Sequence, residues 1–242
     1  MALQPIGERH IKTWNSGDAA RGGDRSTILV GVKPGRIVLL VSFFALISSA
    51  QSWEIGAGAG YGVYRSVSVY APAGKATTGI RNRFVATAIF GEDLYDRLSG
   101  EFRYTYQDGD PFLEAGTVKA NVQGQSHAFH YDLLVHARSR GEKVRPFVAA
   151  GIGAKLYRVT GPENPNQALG TIARLAATQE MKALVTAGGG IKFRIAGSAV
   201  LRVEFRDYVT AFPKNVIKPA PLGTARGIFH QFTTMIGLSM LL

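Results

Sequence analysis

The feature that most constrains this chain is a two-residue alternation of apolar and polar side chains, which recurs from Trp53 to the last residue. A period of two is the repeat of a β-strand, in which successive side chains point to opposite faces of a sheet. Eight segments carry the pattern, at 53–64, 81–90, 98–107, 129–136, 144–158, 182–195, 201–206 and 231–242. The pattern predicts an all-β fold.

The connections between these segments alternate in length. Four are long, at 65–80, 108–125, 159–181 and 210–227, and three are short, at 91–97, 138–143 and 196–198. Gly91, Gly141 and Gly197 supply turn residues for the short connections. Strands joined in this way fit an eight-stranded antiparallel up-and-down barrel whose two ends differ.

Two kinds of closed barrel share this alternation. A soluble ligand-binding barrel places its apolar side chains inside, whereas a membrane barrel places them outside against lipid. Strands of about ten residues fit a tilted crossing of the hydrocarbon core. Long and short connections also segregate to opposite ends in outer-membrane barrels. We therefore predict a transmembrane β-barrel and keep a soluble exported barrel as an alternative.

In a membrane barrel the polar strand faces fill the interior. Eight strands enclose a space just wide enough for side chains to occupy it. Because an unpaired buried charge is costly, we expect the inward carboxylates and cations to pair in a structural network that closes the lumen or nearly so. The predicted network residues are Glu101, Arg103, His130, Asp132, Lys192, Arg202, Glu204 and Arg206.

An export signal precedes the barrel segments. Residues 37–50 form an apolar run that follows Arg36 and ends in small residues, with Ala50 last. This order is typical of a secretory signal peptide, which we expect to be cleaved near Ala50. The predicted divisions are a polar lead-in at 1–31, disordered or preceding the true start, a signal peptide at 32–50, and the barrel domain at 51–242.

Three stretches resemble the small outer-membrane β-barrels of the OmpA/OmpX type, over about 53–242. They are RPFVAAGIGAKLYRV from Arg145, LRVEFRDYV from Leu201 and the terminal MIGLSMLL. The last is similar to the C-terminal signal that the outer-membrane assembly machinery recognises. Its positions are occupied by Gly237, Met240 and Leu242. The family usually ends in an aromatic residue, so Leu242 departs from its pattern.

The resemblance implies an integral protein of the outer membrane of a Gram-negative-type bacterium, with a structural or surface-interaction role through long extracellular loops. The family shares no catalytic activity, and we predict that this chain is not an enzyme. The alternatives are a narrow porin-like channel for small solutes, a lipid-modifying enzyme and the soluble exported barrel. Expected partners are outer-membrane lipids, including lipopolysaccharide, and the assembly machinery.

Composition narrows the chemistry further. The chain has no Cys, which removes thiol nucleophiles and thiolate metal sites. No metal-ligand spacing occurs, so we expect no cofactor. The net charge is +11, but the basic residues are scattered and form no stripe, so we expect no nucleic-acid partner. We expect a monomer.

Three local features lead to further predictions. Ser126 and His127 are adjacent in a strand and should point to opposite faces, which disfavours a Ser–His nucleophile. Helical spacing after Pro165 predicts a short helix in the third long connection. We expect a β-bulge at Asp207–Tyr208.

Overall fold

The computed structural model describes residues 52–225 and 227–242, which form fifteen β-strands. In chain order they are β1 (Trp53–Tyr64), β2 (Val67–Ala71), β3 (Gly74–Ile80), β4 (Arg83–Asp93), β5 (Leu98–Asp108), β6 (Pro111–Ala115), β7 (Val118–Asn121), β8 (Gly124–His136), β9 (Val144–Val159), β10 (Ala173–Leu175), β11 (Gln179–Ala196), β12 (Ala199–Ala211), β13 (Ile217–Pro219), β14 (Thr224–Ala225) and β15 (Ile228–Leu241). The predicted signal peptide and lead-in lie outside the described residues.

Eight of these strands close into an antiparallel barrel in the order β1–β15–β12–β11–β9–β8–β5–β4, and β4 pairs back onto β1. Each barrel strand pairs with the barrel strands that come before and after it in the chain. This arrangement is up-and-down topology. All eight alternating segments of the sequence are barrel strands. The predicted fold class is therefore confirmed.

The barrel is apolar on its outer face and polar inside. Phe102, Ile152 and Ile236 expose more than half of their surface outward, while Arg202 and Arg206 are almost completely buried inside. Soluble monomers rarely expose contiguous apolar patches of this kind, whereas a membrane barrel presents an apolar band to lipid. This distribution is the reverse of a soluble ligand-binding barrel, so the soluble alternative is wrong.

The long connections fold into a cap that we call the crown, made of residues 65–82, 109–123, 160–178 and 212–227 apart from 226. It contains a five-stranded sheet, β14–β2–β3–β6–β7, and the two-stranded sheet β10–β13. Its apolar core includes Val69, Leu113, Leu175 and Ile217, which are almost fully buried. These loops are therefore packed structure at one end of the barrel.

The short helix expected after Pro165 is wrong. This stretch consists of turns and the strand β10, which pairs with β13. The Gln167 side chain accepts a hydrogen bond from the backbone N–H of Leu175 and donates one to its carbonyl, each at 2.8 Å. Leu169 and Ile172 are buried in the crown core, so their apolar spacing reflects tertiary packing. No helix among the described residues is long and apolar enough to cross a bilayer.

The bulge expected at Asp207–Tyr208 is also wrong. The pairing of β12 with β11 runs without a shift through both residues, and the irregularity lies between Arg194 and Ala196. That position adjoins the tight turn at Gly197, whose φ of 46° lies in the left-handed region that glycine adopts readily. The bulge therefore accompanies the turn.

The short turns lie at the end of the barrel opposite the crown, and two of them are tied together. The backbone N–H of Arg140 donates to the Asp96 carboxylate at 2.9 Å, which lowers the pKa of Asp96 below its ordinary value. The backbone N–H of Leu242 donates to the carbonyl of Trp53 at 2.8 Å. Both ends of the described barrel therefore meet at the short-turn end.

Candidate functional site

The structure brings the eight predicted network residues together on the inner face of the barrel. Several of their links cross the full width of the lumen, because β5 and β12 lie opposite each other in the strand order. Arg202 of β12 donates to Glu101 of β5 at 2.6 Å. Arg103 of β5 lies 2.9 Å from Glu204 of β12. These pairs hold opposite walls of the barrel at fixed separation.

The network contains one further carboxylate that was not predicted from the sequence, Glu54 on β1. Lys192 donates to Glu54 at 2.7 Å, Arg202 donates to it at 2.9 Å, and Ser239 donates at 2.5 Å. The sequence carried a signal for this role, because Glu54 lies between two outward apolar residues, Trp53 and Ile55, and must therefore point inward.

Asp132 anchors the part of the network nearest the middle of the barrel. It accepts a hydrogen bond from Thr186 at 2.5 Å, pairs with Arg206, and lies 2.9 Å from Nδ1 of His130. Glycine makes room for these side chains. A Cβ at Gly188 would lie 2.9 Å from Cγ of Arg206, so that close approach requires glycine.

The charges of this network balance. Within the described residues it contains four carboxylates and four cations, apart from His130. The carboxylates are Glu54, Glu101, Asp132 and Glu204, and the cations are Arg103, Lys192, Arg202 and Arg206. Buried ions are tolerated when they are paired and hydrogen-bonded. Each ion of the network has at least one such partner, while Nε and Nη1 of Arg103 and Nη2 of Arg206 form no hydrogen bond with a described residue.

A second layer fills the lumen between the charged network and the crown. Lys155 of β9 donates to the hydroxyl of Tyr64 on the opposite strand β1 at 2.8 Å, and also to Gln231. Its ammonium lies 5.2 Å and 5.7 Å from the ring centres of Tyr157 and Tyr208. Among the described residues no carboxylate pairs with Lys155. We call this set the tyrosine layer; it was not predicted from the sequence.

The crown core closes the lumen above the tyrosine layer. The ring of Phe229 lies 5.2 Å from that of Tyr64 and 5.9 Å from that of Phe212. Both Phe229 and Phe212 belong to the same buried apolar cluster as the crown strands. The barrel interior is thus occupied in sequence by charged pairs, by tyrosines around a lysine, and by an apolar roof.

The histidines do not assemble a hydrolytic triad. Ser126 points inward to Tyr64, while His127 points outward to Tyr104, as expected for neighbours in a strand. Ser99 lies 2.9 Å from Nε2 of His136, a contact that was not predicted from the sequence. The nearest acid, Asp93, accepts a hydrogen bond from Ser99, and Nδ1 of His136 has no partner. In a triad the acid would instead bind Nδ1 of the histidine.

The described residues also contain no group of three or more His, Asp or Glu side chains placed to hold a metal ion. The residues predicted as an assembly signal lie on the last strand, β15, or in the case of Leu242 directly after it. Gly237 faces the lumen, and Met240 and Leu242 are exposed on the outer side. Their role in assembly stays a prediction.

No protein-family model and no curated protein matches the chain. Solved structures do. The outer membrane protein OprG from Pseudomonas aeruginosa matches with a TM-score of 0.55 at 10% identity, over 80% of this chain and 96% of OprG. Neisserial surface protein A matches with a TM-score of 0.49 at 10% identity, over 79% of this chain and 99% of that protein. The outer membrane enzyme PagL matches with a TM-score of 0.36 at 16% identity, over 76% and 97%. The similarity to OprG concerns the fold alone: this chain has the fold of an outer-membrane β-barrel.

Proposed function

We propose that this chain is an integral, non-enzymatic protein of the bacterial outer membrane, present as a monomer, whose closed barrel supports a rigid extracellular crown. Its role is structural, or an interaction with the cell surroundings through that crown. The observation that carries the proposal is the filled lumen, in which ion pairs join opposite strands. A barrel built in this way holds the crown in place. The outer surface of the crown is then the face available to partners.

The outer-membrane location is supported by the apolar outer face and by the segregation of long and short connections to opposite ends. Fractionation of Gram-negative cells that express the full chain tests it. We expect the protein in the outer-membrane fraction, with crown residues accessible to protease on intact cells. Recovery in the soluble periplasmic fraction would contradict the proposal.

The filled lumen separates this proposal from the porin-like alternative. A channel needs a continuous aqueous passage, whereas here Arg202–Glu101 and Lys155–Tyr64 contacts span the barrel in two successive layers. Planar-bilayer recordings with the purified protein should show no conductance steps. Regular ion-conducting steps from the native protein, absent from a mock purification, would overturn the closed-lumen proposal.

The absence of a serine–histidine triad among the described residues supports a non-enzymatic role. Mass spectrometry of lipid A from cells that overproduce the chain tests this directly. The lipid A should be unchanged in mass relative to cells with an empty vector. Loss of an acyl chain from lipid A, or addition of a group to it, would contradict the non-enzymatic role.

A further inference from the structure

The outer wall of the barrel carries a concave apolar groove with a volume of about 690 Å³. It crosses β1, β4, β5, β8 and β9, and a volume of this size is typical of sites that hold one small ligand. Aromatic rings of Phe90, Phe102 and Phe129 form its walls, and Ala88 and Ile152 lie along it. The groove can therefore hold one apolar chain against the outer wall of the barrel.

Beyond the groove, toward the crown, the same wall of the barrel becomes polar and forms what we call the polar end. The hydroxyl of Tyr104, which lines the groove, lies 2.8 Å from Nδ1 of His127. Nε2 of the same histidine lies 3.1 Å from Nε2 of Gln125, and Gln125 accepts a hydrogen bond from Tyr106 at 3.4 Å. These side chains stand on the outward face of the wall, where they can meet polar groups of a ligand.

Arg158 completes this polar end with a positive charge. It is exposed on the outward face of β9. In the pairing of β8 with β9 it lies directly opposite Gln125. Its side chain forms no ion pair or hydrogen bond with any described residue. The cations of the charged network inside the barrel, by contrast, are held by carboxylates. A free guanidinium at a lipid–water boundary is suited to bind a phosphate through paired donors.

The spacing of these features matches one membrane leaflet. Ile152 in the groove and Arg158 lie on the same face of β9, six residues apart, or about 20 Å along the strand. With a strand tilt of roughly 40°, this separation is about 15 Å along the membrane normal. That is close to half of a hydrocarbon core of roughly 30 Å.

We propose that the groove and Arg158 form a binding site for one phosphorylated glycolipid of the outer leaflet. An acyl chain lies in the aromatic groove, a phosphate contacts Arg158, and Gln125 and His127 contact sugar hydroxyls. The order of apolar, mixed and cationic groups along one wall selects a lipid rather than a protein partner. This inference rests on the proposed outer-membrane placement, because the polar end then faces the outer leaflet.

Native mass spectrometry of the full chain purified in detergent tests the site. The probes are hexa-acylated lipid A with both phosphates and the same lipid with its phosphates removed. We expect the phosphorylated lipid to remain bound, and the dephosphorylated lipid to be retained at least tenfold less. Millimolar inorganic phosphate should not displace the phosphorylated lipid, because the acyl chain also contributes to binding. Displacement by free phosphate would show a simple anion site and overturn the proposal.

Two variants test the two ends of the site, each with a matched control. Arg158→Gln should lower retention about tenfold, whereas Lys218→Gln, at an exposed crown cation, should not. Ala88→Phe should fill the groove and lower retention, whereas Ala187→Phe, at an exposed outward position on the opposite strand β11, should not. Equal effects of a variant and its control would show unspecific lipid binding and refute the site.

Heat-dependent gel mobility, measured on the same samples, separates the two proposals. All four variants change outward side chains and should keep the faster mobility of an unboiled folded barrel. A folded, outer-membrane protein that retains neither lipid refutes only the glycolipid site. A chain that is absent from outer membranes refutes the proposed function itself.

Discussion

At the residue scale, the contribution of each buried charged side chain to stability depends on which oppositely charged partners its removal leaves unpaired. Glu101 contacts Lys192 at 3.1 Å, Arg202 at 2.6 Å and Arg103 at 2.9 Å. Removing one partner of a buried ion pair costs far more than the pair itself contributes, because the other charge stays buried without compensation. Glu101 is therefore the carboxylate whose loss leaves the most cations incompletely paired.

We predict that Glu101→Gln lowers the free energy of unfolding by about 3 to 5 kcal/mol, the usual cost of breaking a buried pair. Denaturant unfolding in lipid vesicles measures the change. Glu114→Gln is the control, because Glu114 forms only long, partly exposed pairs in the crown and should change stability by less than about 1 kcal/mol. Equal losses in both variants would contradict the role of the network.

Lys155 and Lys192 provide a matched pair of buried lysines in different surroundings. Lys192 pairs with Glu54 and Glu101, so Lys192→Met should cost about 3 to 5 kcal/mol. Lys155 has no carboxylate partner among the described residues, so Lys155→Met leaves no opposite charge unpaired and should cost clearly less. The same unfolding measurement compares them. A larger loss for Lys155→Met would contradict this interpretation of the tyrosine layer.

At the scale of single elements, side chains hold the crown connections in place of regular helices. Gln167 binds both backbone groups of Leu175 and so fixes the loop before β10. The two hydrogen bonds together stabilise this connection by about 1 to 3 kcal/mol, since a typical hydrogen bond contributes about 0.5 to 1.5 kcal/mol. The crown therefore depends on specific polar contacts as well as on its apolar core.

Gln167→Ala should open this loop and increase the rate of proteolysis between residues 160 and 178 on intact cells about tenfold, while the barrel stays folded. Limited proteolysis followed by mass spectrometry locates the cuts. Asn166→Ala is the control, because no hydrogen bond of the Asn166 side chain occurs among the described residues. Unchanged cleavage in Gln167→Ala would show that the apolar core alone holds the loop.

The end of the last strand is the predicted recognition signal for the outer-membrane assembly machinery. Leu242 is exposed at the short-turn end, where the family resemblance implies an aromatic residue. Leu242→Phe should therefore raise the fraction of protein that reaches the folded, outer-membrane state, and Leu242→Asp should lower it. Quantitative gel analysis of folded and unfolded bands in isolated membranes measures both. Equal yields in all three proteins would argue against an assembly signal at this end.

At the scale of the whole molecule, stability comes from a closed sheet without free edges and from the layers that fill it. Every barrel strand is paired on both sides, and the charged network, the tyrosine layer and the crown core occupy the interior in turn. We predict that the purified protein migrates faster on a denaturing gel when unboiled than when boiled, with β-type circular dichroism before heating. Identical mobility, together with solubility after detergent removal, would contradict a membrane barrel.

The eight barrel strands could be predicted from the sequence because they depend on local alternation. A period of two assigns each side chain to one of two faces before any pairing is known. Strand length and connection length favoured a membrane barrel, and a membrane barrel places the polar face, with Glu101 and Asp132, inside. The alternating connection lengths then indicated the topology. No contact with a distant segment was needed for either inference.

Only the tertiary structure decided which inward groups meet. The pairing of Arg202 with Glu101 depends on which strands lie opposite in the closed barrel. Tyr64 and Tyr208 likewise reach Lys155 from strands distant in sequence. The crown strands also need partners from several loops, which is why the spacing around Leu169 suggested a helix where the chain forms turns and a strand. Local periodicity determines the face of a strand, whereas curvature, register and loop packing are set by contacts between segments far apart in the chain.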